Sequence, residues 1–275
     1  MNINVIDNYS KIKPSLFYLP ISLLIAIILF LHNRNSLHID KYVQIQTDSF
    51  FFINYKLGQF PVIIYNITQL GDASIILSFL SIFILYAPKI WESLISASLA
   101  SLILSVGLKN AFCVPRPAAV FDNNCFIIIG ETAVGHVSLP SGHSITVFTT
   151  FTVLLFAFMP KQLPYKILCV LFTIITGLLI AFTRVGVGAH YPLDVIIGSI
   201  VGYISGLAGI FISRKYKICE WVNNKKYYPI FILSILACGV SLINQISSKN
   251  LIIFYLALIG LILPFYKIVY AFIKK

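Results

Sequence analysis

Residues 167–213 read ILCVLFTIITGLLIAFT, then RVGVGAHYP, then LDVIIGSIVGYISGLAGIFIS. Two long apolar runs flank a short turn, and Arg184, His190 and Asp194 crowd into or beside that turn. A transmembrane helix needs about 20 mostly apolar residues to cross about 30 Å of hydrocarbon. The stretch therefore reads as two membrane helices joined at one face by a polar turn. Working outward, runs of the same kind occur at 15–31, 69–87, 93–108, 143–159, 228–244 and 251–270, which makes eight candidate spans. Several are short and are expected to merge with flanking polar turns. The first is expected to be a retained helix, because Leu31-His32-Asn33-Arg34 follows it instead of a small-residue cleavage site.

Composition agrees with this reading. The chain of 275 residues is 59% hydrophobic and 11% charged, with a mean hydropathy of +0.92. Soluble domains carry about 25% charged residues, because their surface must face water. Twenty Lys and Arg against nine Asp and Glu give a net charge of +11. In a soluble protein that excess would suggest nucleic acid, but membrane topology explains it better. Lys and Arg concentrate in cytoplasmic loops. With the N-terminus inside, the inner segments hold Lys11, Lys13, Lys89, Lys161, Lys166, Arg214, Lys215, Lys217, Lys225, Lys226, Lys267, Lys274 and Lys275. The outer segments hold only Arg34, Lys41, Lys56, Lys109, Arg116, Arg184 and Lys249. Both termini are therefore expected in the cytoplasm. No internal repeat, low-complexity tract or flexible linker divides the chain.

Two long outer loops are expected, 32–68 and 109–142. The first carries Phe50, Phe51, Phe52, Tyr55, Phe60 and Tyr65, which suit an interfacial aromatic belt or, in a sharper reading, a guide for a lipid tail. Three short clusters then fall on the outer side. They are Lys109 with Arg116-Pro117, Pro140-Ser141-Gly142-His143, and Thr183-Arg184 with His190 and Asp194. Lys109, Arg116 and Arg184 supply three cations, and the planar fork of arginine fits phosphate oxygens. Ser141 and Gly142 open a helix whose N-terminal amides and dipole favour an anion. A phosphoryl group is the natural occupant of such a cradle. Asp194, four residues after His190, can fix the imidazole tautomer and leave the other ring nitrogen free to attack. His143 can protonate a leaving oxygen. Asp194 is the sole carboxylate in the three clusters, so no metal site is expected and the cations would do a metal's work.

The pattern K-x6-R-P, P-S-G-H and then [S/T]-R-x5-H-x3-D resembles the type-2 phosphatidic acid phosphatase family, which is related to the vanadium-dependent haloperoxidases. Thr183 stands where that family usually has serine and keeps the hydroxyl. The resemblance implies an all-α polytopic membrane protein with a six-helix phosphatase core over residues 1–215. A pair of transmembrane helices over 216–275 would be appended to it. It implies His190 as the nucleophile that forms a phosphohistidine, Asp194 as its orienter and His143 as the acid. Lys109, Arg116, Ser141, Gly142 and Arg184 would hold the phosphoryl oxygens, supported by Pro117, Pro140 and Thr183. It further implies a metal-independent lipid phosphatase without a cofactor, at the outer face of a bacterial inner membrane. Undecaprenyl diphosphate, phosphatidylglycerol phosphate, phosphatidic acid and lipid A phosphates are the family's substrate choices, with undecaprenyl or broad specificity favoured. Neither nucleic acid nor an obligate protein partner is expected.

Two rivals share parts of this reading. A lipid phosphotransferase would use every motif residue and differ only in its acceptor. An anionic-lipid transporter would place polar residues and half-helices in mid-membrane, whereas this chain puts its ionisable groups at helix ends. The remaining candidates read as structural. Asp72 suits a helix N-terminus, and Gly198, Gly202, Gly206 and Gly209 suit close helix packing. His136 suits a polar loop or a leaving-group contact, and His32 and His38 are ordinary polar positions. Cys113 and Cys125 share an outer loop as candidate disulfide partners, while Cys169, Cys219 and Cys238 read as inert.

Overall fold

The computed structural model describes residues 1–216 and 220–274. Lys217 and Lys275, read above as inner cations, and Cys219, read as inert, lie outside the described residues. Among those described, the chain is helical, with no strand. In order the helices are α1 (Asn2–Ser10), α2 (Tyr18–Asn33), α3 (Ile39–Gln44), α4 (Thr47–Gly58), α5 (Pro61–Gln69), α6 (Ala73–Leu80) and α7 (Phe83–Tyr86). They continue with α8 (Pro88–Phe112), α9 (Pro117–Val120), α10 (Gly142–Ala157), α11 (Leu163–Gly186), α12 (Pro192–Lys215), α13 (Tyr228–Lys249) and α14 (Ile252–Ile273). Proline occupies the first turn of α5, α8, α9, α11, α12 and α13, where its missing N–H is not needed and its fixed φ suits a helix start.

This is a multi-pass membrane protein. Among the described residues, six helical stretches are long and apolar enough to cross a bilayer: Pro14–Asn33, Pro88–Val120, Leu163–Gly186, Pro192–Lys215, Lys225–Lys249 and Ile252–Ile273. The other two expected spans take different forms. The run at 69–87 is not one straight helix. It belongs to a broken span in which α5 and α6 meet at 66°. Gly71 and Asp72 interrupt the ladder, and the Asp72 carboxylate caps α6 by accepting from the Ser74 amide at 2.8 Å. The fourth run, α10, has 16 residues, about 24 Å at 1.5 Å per residue. That falls short of the hydrocarbon thickness.

The expected outer loop 32–68 is likewise helical, as α3, α4 and α5. Its aromatics divide by burial. Phe52, Tyr55 and Phe60 are exposed, as a belt requires, but Phe50 is fully buried. The Phe50 ring lies 5.4 Å from Phe126, 5.8 Å from Phe121 and 5.6 Å from Tyr191, centroid to centroid. This aromatic knot ties the outer segments to the start of α12.

The core is a tight sandwich of α8, α10 and α12, and glycines set its spacing. A Cβ added at Gly198 would stand 2.7 Å from the Ser141 carbonyl oxygen, at Gly202 2.5 Å from that of Ile145, and at Gly206 2.6 Å from Thr152 Cβ. On the other side, one at Gly209 would stand 2.4 Å from the Ala97 backbone nitrogen. Only a bare Cα lets α12 approach both neighbours this closely, which is the packing role expected of these residues. At the inner end α1 is fastened to the bundle. The Tyr9 hydroxyl donates to the Val153 carbonyl at 3.1 Å, and Arg214 donates to that of Ile12 at 3.0 Å. The last two helices pack on each other and on α5 and α6. Phe231, Ile235, Phe254 and Ala257 join the same apolar cluster as Ile75, Leu80 and Ile84.

Candidate active site

The three sequence clusters meet at one end of the α8–α10–α12 sandwich. Lys109 lies in the last turn of α8, which stops at Cys113 in the left-handed conformation, φ 47°. The chain turns there, so that Arg116 becomes the N-cap of α9 with Pro117 at its first position. The Arg116 amide donates to the Gly135 carbonyl at 2.9 Å, and the Ser138 amide to that of Val114 at 2.9 Å. These bonds fold the outer loop back over the site.

Ser141 caps α10, accepting from the Ser144 amide at 3.4 Å, and its own amide donates to the Asp194 carbonyl at 3.0 Å. The peptide before Pro140 is cis. Gly142 opens α10 with nothing but the Lys109 ammonium facing it, 3.7 Å from where a Cβ would stand. A lysine cation and the positive end of a helix thus face each other, an arrangement that favours an anion between them.

The turn between α11 and α12 supplies the rest. Gly188, with φ of +79°, makes a bend that a side chain would obstruct, since its Cβ would lie 2.8 Å from the Ile127 carbonyl oxygen. The bend returns the Ala189 and His190 amides to the Arg184 carbonyl, at 3.0 and 3.3 Å. Arg184 donates through a terminal guanidinium nitrogen to the Thr68 hydroxyl of α5 at 3.2 Å. Arg116, Arg184, Lys109 and His190 all lie within electrostatic range of partly buried His143. The Nε atoms of Arg116 and Arg184 are buried without an acceptor among the described residues. A buried donor left unpaired costs about 1–3 kcal/mol, so these two nitrogens suit an anionic acceptor.

His190 is 2% exposed and Asp194 is fully buried. The Asp194 Oδ2 atom lies 3.6 Å from His190 Nδ1, too far for a good direct hydrogen bond. The Ser138 hydroxyl sits beside both, donating to Oδ2 at 2.6 Å with its oxygen 3.4 Å from Nδ1. The Tyr191 amide also donates to Oδ2, at 3.0 Å, and the Tyr42 hydroxyl donates to Oδ1 at 2.7 Å. Burial, reinforced by Asp194, holds the Tyr42 phenol well above its ordinary range, so it remains a donor. With its oxygens engaged in this way, the carboxylate is fixed in place. Burial is the largest influence on His190 and, against the pull of Asp194, pushes it down to about 4. The imidazole is therefore neutral near pH 7, with Nε2 available when Nδ1 carries the proton.

Of the supporting residues, Thr183 turns its hydroxyl to its own helix, donating to the Ile180 carbonyl at 2.5 Å and not to the cradle. His32, His38 and His136 are exposed. Cys113 and Cys125 are both free and exposed, so the candidate disulfide is not formed. No group of three or more His, Cys, Asp or Glu gathers among the described residues.

The family model of the PAP2 superfamily matches residues 90–218. The match covers less than half of the chain. A curated protein named lipid A 1-phosphatase, from Rhizobium etli, is 34% identical over 154 residues, 53% of this chain. The match spans 62% of that relative's length. The crystal structure of Aquifex aeolicus LpxE superimposes with a TM-score of 0.50 at 25% identity, covering 61% of this chain and 95% of that one. The PAP2 segment contains all three motifs, while Tyr42 and Thr68 come from helices that precede it.

Tyr42, Thr68 and Ser138 escaped the sequence reading. Ser138 lies two residues before Pro140, and only its proximity to that cluster could have drawn attention to it. Replacing Ser138 with alanine is expected to lower kcat about tenfold with KM nearly unchanged, because Asp194 loses a donor and His190 loses its lateral support. Steady-state kinetics of the purified variant checks this. An unchanged kcat would reduce Ser138 to packing.

Proposed function

We propose that this protein is a membrane lipid phosphatase in which His190 attacks the phosphorus of a lipid phosphate. The attack forms the Nε2–P bond, breaks the bond from phosphorus to the lipid oxygen, and passes the His143 proton to that oxygen. Water then attacks the phosphohistidine with His143 as base, releasing inorganic phosphate and regenerating both imidazoles. Lys109, Arg116, Arg184 and the positive end of α10, opened by Ser141 and Gly142, stabilise charge on the equatorial oxygens. Asp194 holds His190 through its direct approach and through Ser138. Pro117 and Pro140 shape the backbone that presents Arg116 and Ser141.

The observation that carries this reading is the gathering of Lys109, Arg116 and Arg184 around His143, beside the buried, neutral His190, with two arginine Nε atoms lacking an acceptor among the described residues. Residues 1–215 form the catalytic core in this reading. The excess of Lys and Arg in the opposite segments supports an extracytoplasmic site with both termini in the cytoplasm. Among substrates, the phosphates of lipid A now lead, on the strength of the Rhizobium etli relative.

The test is phosphate release from a panel of lipid phosphates in detergent with EDTA present. Lipid A phosphate is expected to be cleaved at an unchanged rate after chelation, without a second lipid. Activity abolished by EDTA would overturn the metal-free mechanism. Phosphate appearing only on an added lipid acceptor would identify a phosphotransferase.

A further inference from the structure

A second cavity, of about 1000 Å³, lies away from the site, between α1 and α2 on one side and α10, α11 and α12 on the other. Its volume is at the upper end of ligand pockets, about 300–1,000 Å³. The walls are apolar. Thr173 and Ser199 line it too, but their hydroxyls donate to the Cys169 and Val195 carbonyls of their own helices. One end reaches Ile196 on α12. The other opens beside Lys11, Lys161 and Lys166.

Those lysines cannot serve the catalytic phosphate. Lys166 and Arg184 are 184 − 166 = 18 residues apart on α11, about 27 Å along its axis. The lysine end therefore faces the opposite leaflet. Lys11 is paired with Asp7, but Lys161 and Lys166 are exposed and have no acidic partner among the described residues. An apolar cavity at membrane depth needs hydrocarbon to fill it, and uncompensated ammonium groups at its mouth need anions.

We propose that this cavity holds an anionic phospholipid of the leaflet opposite the active site. Its acyl chains would lie between α2 and the α10–α11–α12 face. Its phosphate would sit against Lys161 and Lys166, with Lys11 alongside. Asn8 donates to the Ala157 and Met159 carbonyls at 3.0 and 3.3 Å. These bonds fix the turn that carries Lys161, so the lipid ties the amphipathic N-terminal helix to the core.

The protein can be reconstituted in nanodiscs of equal parts phosphatidylglycerol and phosphatidylcholine, then released for native mass spectrometry. Wild type is expected to retain phosphatidylglycerol in preference. Lys161→Gln with Lys166→Gln is expected to lose that preference on the order of 30-fold, and Lys166→Gln alone to lose part of it. Phosphatidylcholine retention and phosphatase activity should stay at wild-type levels. Val170→Trp, which projects an indole into the cavity, should weaken retention of both lipids. Three results would overturn the proposal: equal retention of the two lipids by wild type, undiminished preference in the double variant, or one-for-one displacement by a lipid phosphate bound at the catalytic pocket.

Discussion

Replacing His190 by alanine is expected to lower phosphate release by at least about ten-thousand-fold, since removing an attacking nucleophile leaves only binding and charge stabilisation. No other group in the pocket can replace it. Among the described residues His143 is the other imidazole there, and in the proposed reaction its partner is the leaving oxygen. The cations carry no free electron pair at neutral pH. Its immediate chemical signature is the covalent intermediate. Rapid quenching of wild type with a radiolabelled lipid phosphate should leave label on the protein that is lost in acid and survives base, as a phosphoramidate behaves. His190→Ala should carry none. The variant is expected to remain folded, because the Asp194 carboxylate keeps Ser138, Tyr191 and Tyr42 as donors. A variant with turnover within about tenfold of wild type would end the nucleophile assignment. His143→Ala separates the roles. It should slow both the lipid-oxygen departure and the water attack while leaving the attacking nitrogen intact.

The spans and the three motifs were legible because each is a local pattern. An apolar run of membrane length reads as a helix whatever surrounds it, and charges in so apolar a chain stand out. What was not legible depends on tertiary approach. Tyr42 lies 152 residues from Asp194 in a segment of ordinary amphipathic composition, and nothing in its neighbourhood marks it as a donor to that carboxylate. The same holds for Asn54, which donates to the Ile127, Val185 and Gly186 carbonyls at 2.8, 3.1 and 3.1 Å. It thereby pins the outer loop to the end of α11. Thr183 shows the reverse case. Its place in the motif suggested a supporting hydroxyl, and a threonine hydroxyl inside a helix has its own carbonyls within reach. The break between α5 and α6 was hidden for a similar reason. Mean hydropathy across 69–87 suits a span, and an N-cap such as Asp72 starts a new helix without lowering that mean much.

That break has a consequence for the chemistry, because Gly71 lies directly on the His143 ring. A Cβ at Gly71 would stand 2.8 Å from His143 Cβ and 2.9 Å from Cδ2. Gly71→Ala is therefore expected to shift the imidazole and lower kcat about a hundredfold, the scale of loss when a reacting group is displaced by about 1 Å. KM should change little, since the cradle cations are untouched. The neighbourhood leaves the loop little room to retreat. Arg184 holds α5 through Thr68, α6 is capped by Asp72, and Asn66 accepts from the Ile253 amide of α14 at 3.2 Å. In this way the two last helices acquire a role, bracing the broken span against the site from behind. Gly107→Ala on α8 is the control, since a Cβ there meets nothing within 4 Å and should leave kcat at wild type. Should Gly71→Ala also turn over at the wild-type rate, the His143 ring has space to spare, and the broken span is a packing feature without influence on proton transfer.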